Sequence, residues 1–358
     1  MSEVVSGTQA RKTVSRLADG RELIYFDDRE PYLSGEQTRV VRDVRELPVP
    51  DTRSEVRLDV LTGEYVAIAA HRMDRTYLPS AAENPLAPSR PGRPTEVPAP
   101  DYDVVVFENR FPTFSGGRGR CEVICFTSDA SSSFAELSER RVRTVIEAWA
   151  DRTEQLSALP GVRQVAPFEN RGEEIGVTLS HPHGQIYAYP YLPGRTQQLI
   201  GQARAHREAT GRSLLADVLT EEQTAGERMV LRGEHWSAYV PVAARWPVEV
   251  HLAPHRDVAD LAELSDAERS ELAGAYLELL RRVDRFFPGV ARTPYIAAWH
   301  QAPVGQDREL GRLHLQLFSL RRAPGRMKYL AGSESGFGAW ILDTTPEQIA
   351  RRLREVAS

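Results

Sequence analysis

The sequence predicts an α+β protein assembled from two related halves, and three observations support this fold class. The first is an internal repeat: residues 135–138 (Ala-Glu-Leu-Ser) recur as 262–265, and residues 122–123 (Glu-Val) recur as 249–250 at the same offset. The second is that an amphipathic pattern with helical spacing follows each copy, over 138–157 and 266–287. The third is that short apolar runs typical of buried strands flank these helices. A repeat shared by strand and helix indicates a duplicated unit.

The elements follow one another along the chain in an order that divides it into four parts. We expect an N-terminal arm over 1–56, a first half over 57–193, a helical connector over 194–226 and a second half over 227–358. In the first half, 58–70 is typical of two strands joined by a turn at Thr62 and Gly63. The proline-rich stretch 79–101 predicts a loop, and the runs 104–107, 122–127, 164–168 and 175–189 predict strands.

Composition excludes several classes of function. The 45 basic and 50 acidic residues give a formal net charge of −5, so no global basic field attracts nucleic acid. No apolar run reaches the roughly 18 residues of a membrane helix, and the N-terminus lacks a signal-peptide pattern. Cys121 and Cys125 would lie about 13 Å apart on a strand, which is too far for a disulfide. We therefore expect a soluble, cytoplasmic protein with no membrane or nucleic-acid partner.

The densest polar cluster is the motif 181–185 (His-Pro-His-Gly-Gln), which lies inside an apolar run. In an extended chain, His181, His183 and Gln185 point to the same face, with successive side chains about 6–7 Å apart. Pro182 cannot donate to a ladder, so we expect the segment at a sheet edge or a bulge. Gly184 lets a ligand approach the backbone closely.

Three interpretations of this cluster compete. Two hydrogen-bonded surface histidines would leave the glycine, glutamine and proline without a reason. A metal pair would suit His-x-His on a strand but needs a third ligand. The third interpretation is nucleophilic catalysis, in which a neutral imidazole attacks phosphorus and the Gln185 amide donates to the phosphoryl oxygens.

Together with other segments, this motif resembles the galactose-1-phosphate uridylyltransferases, the transferase branch of the histidine-triad superfamily. The matching segments cover about residues 10–355 in family order. They are 61–68 (Leu-Thr-Gly-Glu-Tyr-Val-Ala-Ile) with Arg72 and Arg75, 106–110 (Val-Phe-Glu-Asn-Arg), 168–172 (Phe-Glu-Asn-Arg-Gly), 181–185, 298–303 (Ala-Trp-His-Gln-Ala-Pro) and 328–334 (Lys-Tyr-Leu-Ala-Gly-Ser-Glu). The resemblance implies two tandem histidine-triad-like halves whose antiparallel sheets form an open half-barrel flanked by helices.

The resemblance also implies a reaction and its residues. His183 would attack UDP-glucose and hold a uridylyl group, which galactose 1-phosphate would then accept in a ping-pong cycle. His181 and Gln185 would complete the catalytic set, in a homodimer that requires no cofactor. The substrate-binding residues implied by the family are Arg72, Arg75, Asn109, Asn170, Gly176, Thr178, Lys328, Tyr329 and Glu334. Lys328 stands out because every basic residue except it and Lys12 is arginine.

The sequence departs from the family at its metal positions. Many members hold a structural zinc with a Cys-x-x-Cys pair, a further histidine and the first histidine of the motif. Here Asn84 and Ala87 replace the cysteines, Ala130 replaces the further histidine, and only His181 remains. At a second family metal site His300 and His314 are kept, but Gln316 stands for a histidine and the acidic position falls near Leu199. We expect no metal at either site.

Two alternative functions remain open at this stage. The lost metal ligands are compatible with a relative that uses another sugar phosphate, another nucleotide or inorganic phosphate. A catalytically silent nucleotide-binding protein is a more distant alternative, because His183, Gln185 and Lys328 are all retained. Signatures of other enzyme classes, including a P-loop and a dinucleotide fingerprint, are missing from the sequence.

Overall fold

The computed structural model describes residues 2–3, 10–48, 53–74, 79–80, 83–115 and 119–358. Its helices are α1 (Glu139–Ser157), α2 (Gly194–Thr210), α3 (Leu214–Ala225), α4 (Asp266–Arg285), α5 (Gly332–Phe337) and α6 (Pro346–Glu355). Its strands are β1 (Ser2–Glu3), β2 (Arg11–Arg16), β3 (Glu22–Asp27), β4 (Glu55–Leu58), β5 (Tyr65–Ile68), β6 (Val104–Glu108), β7 (Arg120–Cys125), β8 (Gln164–Arg171), β9 (His183–Tyr189), β10 (Met229–Arg232), β11 (Trp236–Tyr239), β12 (Val248–Pro254), β13 (Tyr295–His300), β14 (His314–Ser319), β15 (Arg321–Ala323) and β16 (Arg326–Met327).

Twelve strands form one antiparallel sheet, and its order displays the duplication. The order is β1-β2-β3-β6-β7-β9-β8-β13-β14-β12-β11-β10, and the sheet does not close into a barrel. The eight strands from β6 to β11 read as a mirror image about the central β8–β13 pair. One half supplies β6, β7, α1, β8 and β9, and the other supplies β11, β12, α4, β13 and β14 in the same chain order. The predicted fold class of two related halves in an open sheet is confirmed.

The two repeated helices begin in the same way and pack against each other. Ser138 caps α1 by accepting from the backbone N–H of Arg141 at 3.2 Å, and Ser265 caps α4 by accepting from that of Glu268 at 3.3 Å. Both helices bury aromatic and aliphatic side chains in one core that runs under both halves of the sheet. This shared core holds the central strands rigidly, and those strands carry the polar motif.

The N-terminal part of the chain is built into the sheet. The predicted arm contains β2 and β3, which form a hairpin, and β3 pairs with β6. This part of the sequence contains one short apolar run, 23–26, which lies in strand β3, and Tyr25 within it is fully buried. The polar residues around it pair among themselves, for example Arg39 with Asp27. A short apolar run between charged residues therefore marks a strand at this position.

A second hairpin stands outside the main sheet. β4 and β5 pair only with each other among the described strands, and Gly63 in their turn has a φ of +74°. This confirms the predicted strand–turn–strand unit, because a positive φ at that position favours glycine. Val60 and Leu61 at its tip are 84% and 91% exposed. In the described part of the chain, no helix is both long and apolar enough to cross a membrane.

Candidate active site

Strand β9 runs through the middle of the first half and begins with the last three residues of the polar motif, from His183. It lies between β7 and β8, with Cys125 opposite His183 and Phe168 opposite Gln185. The expectation that the motif lies at a sheet edge or bulge is therefore wrong. Pro182 precedes the first strand residue, so its missing N–H leaves the ladder intact, and its carbonyl accepts from the N–H of Phe126 at 3.3 Å.

Gly184 is required for packing between strands. A Cβ at this position would lie 2.8 Å from the carbonyl oxygen of Phe168 and 2.9 Å from a ring carbon of Phe126. The space above its Cα is thus filled by neighbouring protein atoms. The interpretation that Gly184 admits a ligand to the backbone is wrong, because the close approach is made by β8 and by an aromatic ring.

The His183 ring is fixed by one hydrogen bond to the backbone two residues earlier. Its Nδ1 lies 2.7 Å from the carbonyl oxygen of His181. A carbonyl only accepts, so Nδ1 carries the proton and Nε2 keeps its lone pair. Burial lowers the pKa of this ring below its usual range, so the imidazole is neutral at pH 7. A neutral, oriented imidazole with a free nitrogen can act as a nucleophile.

The His181 ring is held in the protein interior by hydrogen bonds. It is buried, and its Nε2 lies 2.7 Å from the Tyr102 hydroxyl and 2.8 Å from the carbonyl oxygen of Thr127. Burial lowers the pKa of His181 to about 4. The ring is therefore neutral, and its Nε2 is used in holding the structure together.

His183 stands between two cavities. The first, called here the Phe107 cavity, has a volume of about 180 Å³. It is lined by the predicted residues Arg72, Asn109, Thr178, His183 and Gln185, together with Leu86, Phe107, Phe111 and Leu179. The second, called the Asn170 cavity, has a volume of about 230 Å³. It is lined by the predicted residues Asn170, His181 and His183, together with Glu169, Arg171, Val177 and Arg292.

Polar groups at the mouth of the Phe107 cavity are held by local backbone bonds. Arg72 donates from Nη1 to the carbonyl oxygen of Phe111 at 2.7 Å. The side-chain oxygen of Asn109 accepts from the N–H of Phe111 at 2.8 Å. Each side chain therefore has a fixed direction and keeps a further donor for a ligand. Gly176, with a φ of +85°, ends the short helical turn Glu173–Ile175 that leads into Thr178.

Glu169 was missed by the sequence analysis, although it lines the Asn170 cavity. Burial raises its pKa to about 7, while the Tyr295 hydroxyl, donating at 2.7 Å, and the Arg171 guanidinium oppose the shift. Sequence alone gives no signal for this, because Tyr295 comes from the second half through the β8–β13 pairing. Glu96 and Arg110 also line the Phe107 cavity and were not among the predicted site residues.

The C-terminal residues of the predicted site lie elsewhere. Lys328 is buried and donates to the carbonyl oxygens of Arg245 and Ile341, and it pairs with Glu334 at 2.7 Å. Tyr329 is 85% exposed. Lys328, Tyr329 and Glu334 line neither cavity beside His183. The predicted Arg75 lies outside the described residues.

The residues at the first family metal position do not fit a zinc site. Asn84 accepts at its side-chain oxygen from the N–H of Leu86 at 3.0 Å, a turn that needs no metal. Ala87 and Ala130 have no ligating atom in their side chains. His181 Nε2 is taken by Tyr102 and Thr127.

The second family position is likewise engaged in bonds within the protein. The His300 and His314 rings stack with centroids 4.8 Å apart and an interplanar angle of 8°, which does not direct their nitrogens at one point between them. Gln316 donates to Glu249 at 2.6 Å. The described residues contain no group of three or more His, Cys, Asp or Glu side chains arranged to hold a metal.

Comparisons with known proteins identify the family and the fold. The family model described as galactose-1-phosphate uridyl transferase, N-terminal domain, matches residues 113–193, and the corresponding C-terminal domain model matches residues 198–358. A galactose-1-phosphate uridylyltransferase of Streptomyces lividans is 51% identical over 97% of this chain and 98% of its own length. One from Thermotoga maritima is 34% identical over 84% of this chain and 98% of its own.

Solved structures extend the likeness to three dimensions. A structure described as uridylyltransferase aligns with a TM-score of 0.76 at 30% identity, over 84% of this chain and 98% of that one. An ADP-glucose phosphorylase from Arabidopsis thaliana, solved with ADP-glucose, aligns at 0.65 with 21% identity over 85% of this chain and 99% of that one, and shares the fold. The family models and these relatives together define a transferase. The chain belongs to the galactose-1-phosphate uridylyltransferase family.

The protonation state of His183 predicts the pH dependence of its reaction. Attack requires an unprotonated Nε2, and the lowered pKa means that half of the rings become protonated only at a pH below the ordinary value of 6.5. The single-turnover rate of a reaction in which His183 is the nucleophile should therefore fall on acidification with a midpoint below pH 6.5.

A decline whose midpoint lies above pH 6.5 would contradict this assignment unless another group causes it. Glu169, with a pKa of about 7, is the neighbour that titrates in that range. The profile of Glu169→Gln separates the two groups. A midpoint above pH 6.5 that persists in this variant would show that the His183 pKa is not lowered.

Proposed function

We propose that the protein transfers a uridylyl group from UDP-glucose to galactose 1-phosphate through a covalent intermediate on His183. The observation that carries the proposal is the His183 ring itself: its Nδ1–H is bonded to the His181 carbonyl, and the ring borders two cavities. The relatives named galactose-1-phosphate uridylyltransferase support the choice of substrates.

The first half-reaction forms one bond and breaks one. The Nε2 lone pair of His183 bonds to the α-phosphorus of UDP-glucose, and the bond from that phosphorus to the bridging oxygen breaks. Glucose 1-phosphate leaves with the electron pair, and the imidazole becomes a cation. The Nδ1–H bond to the His181 carbonyl stabilises this cation, because a bond to a charged donor is stronger than the neutral one.

The second half-reaction is the reverse in form. A phosphate oxygen of galactose 1-phosphate attacks the same phosphorus, the bond to Nε2 breaks, and UDP-galactose leaves while the lone pair returns to His183. Free rotation of the ring would misalign the phosphorus for the second attack. The bond to the backbone prevents this, which keeps the reacting atoms aligned in both steps.

The two cavities suit different parts of the donor. Phe107, Leu86 and Leu179 give the Phe107 cavity apolar walls for the uracil ring, and Asn109 offers an amide to it. Arg72 and Gln185 lie in the same cavity as His183, where they can donate to the phosphoryl oxygens. The Asn170 cavity, with its polar Asn170 and Arg171, would take the sugar phosphate. Gly176 and Thr178 shape the segment between them.

The proposal includes a homodimer and no metal. Lys328, Tyr329 and Glu334 line neither cavity beside His183, so they can act on a substrate only if their segment meets the site of a second copy. The Lys328–Glu334 pair would fix that segment and leave Tyr329 exposed for contact. The β4–β5 hairpin, with Val60 and Leu61 exposed, offers an apolar surface for the same association.

The first test of the proposal is covalent labelling. Incubation with UDP-glucose labelled in the α-phosphate should leave acid-labile label on the protein, because a nitrogen–phosphorus bond hydrolyses in acid. His183→Ala should lower the labelling rate at least ~1,000-fold, since the nucleophile is removed. His206→Ala is the matched control; this histidine pairs with Asp217 on α2–α3 and should label as the unmodified protein does.

Two outcomes of this experiment would contradict the proposal. If the unmodified protein takes up no label, no covalent nucleotidyl intermediate forms. If His183→Ala labels as fast as His206→Ala, another residue is the nucleophile.

The second test separates this reaction from its close alternatives. Nucleoside diphosphate sugars are offered with sugar 1-phosphates or inorganic phosphate, and product masses are scored. UDP-glucose with galactose 1-phosphate should exceed each other pair by at least tenfold in kcat/KM, about 1.4 kcal/mol of discrimination. A tenfold preference for another base, or for inorganic phosphate, would retire these substrates and leave the histidine mechanism intact.

The third test concerns association. Leu61→Asp places a charge on the tip of the exposed hairpin, so it should shift a dimer toward monomer in sedimentation experiments. Val242→Asp introduces the same charge at a residue that is 66% exposed and outside the hairpin, and it should leave the mass unchanged. A monomeric unmodified protein, or equal effects of both variants, would contradict this part of the proposal.

A further inference from the structure

The His181 ring is anchored by a short chain of buried hydrogen bonds centred on Tyr102. The Tyr102 hydroxyl lies 2.7 Å from His181 Nε2 and 3.3 Å from the carbonyl oxygen of Leu86. His181 Nε2 also lies 2.8 Å from the carbonyl oxygen of Thr127. Tyr102 is fully buried and His181 is 1% exposed, so water cannot substitute for these partners.

The direction of each bond follows from the two carbonyl groups. Because a carbonyl only accepts, His181 Nε2 carries a proton directed at Thr127 and Tyr102. The Tyr102 hydroxyl accepts from His181 and donates to Leu86. The chain of bonds therefore runs from the ring to the hydroxyl to the loop, and it fixes one tautomer of His181.

These bonds join the segments that the family's zinc ligands would join. Leu86 lies between Asn84 and Ala87, the positions of the missing cysteine pair. Thr127 lies three residues before Ala130, the position of the missing histidine. The third segment is His181 itself.

The loop of the missing cysteine pair is also closed without a metal. The side-chain oxygen of Asn84 accepts from the N–H of Leu86 at 3.0 Å, and its carbonyl oxygen accepts from the N–H of Ala87 at 3.2 Å. These two bonds form a tight turn that presents the Leu86 carbonyl to Tyr102. The loop thus has its own means of keeping the acceptor in place.

The position of the His181 ring determines the orientation of the His183 ring through the short stretch of backbone between them. His181 accepts from His183 Nδ1 at its carbonyl, and only Pro182, whose φ is restricted, separates the two residues. A shift of the His181 ring would move that carbonyl and release the His183 ring. We propose that Tyr102 is a positioning residue that takes the place of the structural metal, an inference that rests on the proposed function. Its hydroxyl holds His181, and His181 in turn holds the reactive tautomer of His183.

The test compares two tyrosine-to-phenylalanine variants. Tyr102→Phe removes the hydroxyl that holds His181, so the single-turnover labelling rate should fall about tenfold. The affinity for UMP should change less than twofold, because Tyr102 lines neither cavity and the Asn84 turn still holds Leu86 in the wall of the Phe107 cavity. Tyr25→Phe is the control: Tyr25 is fully buried in the same apolar cluster, and its hydroxyl has no hydrogen-bond partner among the described residues, so its rate should be unchanged.

Restoring the metal should rescue the variant. Adding Asn84→Cys, Ala87→Cys and Ala130→His to Tyr102→Phe supplies three ligands beside His181, so zinc should raise the labelling rate again and a chelator should lower it. If zinc fails to raise the labelling rate in a folded protein, the proposal that the Tyr102 hydroxyl takes the place of the metal is wrong. Labelling by Tyr102→Phe at the rate of Tyr25→Phe would overturn the positioning role.

One measurement on the unmodified protein keeps the proposal falsifiable if these variants do not fold. Nitrogen NMR of labelled histidine should show His181 protonated at Nε2, and elemental analysis should find well under one zinc per chain. Stoichiometric zinc or an unprotonated Nε2 would overturn the proposal. Because these readouts need no turnover, they are distinct from a failure of the proposed function, which would appear as an unlabelled protein.

Discussion

The hydrogen bond from His183 Nδ1 to the carbonyl of His181 decides which ring nitrogen is free, and much of the surrounding structure keeps it in place. The bond lies at the start of β9, between two paired strands, over a core shared by both halves. Gly184 lets β8 approach closely enough for that pairing. The polar site is therefore positioned by packing on its protein side, while its other side remains open to two cavities.

The duplicated half shows that this bond alone does not make a reactive site. His314 occupies the equivalent position on β14, and its Nδ1 lies 3.0 Å from the carbonyl of Arg312, again two residues earlier. There, however, Gln316 is used by Glu249 and the His314 ring stacks on His300. The same hydrogen bond, from Nδ1 to the carbonyl two residues earlier, thus orients a histidine in both halves. The neighbouring side chains determine whether its partner glutamine is available to a ligand.

Local patterns in the sequence predicted the parts of the structure that depend on local physics. The capped helices after Ser138 and Ser265, the hairpin with Gly63 and the repeat all follow from spacing and turn chemistry. The edge position for Pro182 was wrong because strand order is set by distant pairing. Tyr102 and Glu169 were missed because their partners are far along the chain, at His181 and Tyr295. Only the folded chain brings them together.

The proposal that hydrogen bonds take the place of a metal in this chain must account for their strength, since a metal site contributes more stability than one neutral hydrogen bond of about 1 kcal/mol. Burial reduces the difference in strength between these hydrogen bonds and a metal site. Tyr102 and His181 lie in a region of low dielectric, where losing a partner also leaves a buried polar group unsatisfied. Two further hydrogen bonds help to hold the segments together: one closes the Asn84 turn, and the other joins His181 to the Thr127 carbonyl. In this chain the proposed connection between these segments therefore rests on several buried hydrogen bonds, with the Tyr102 hydroxyl at their centre.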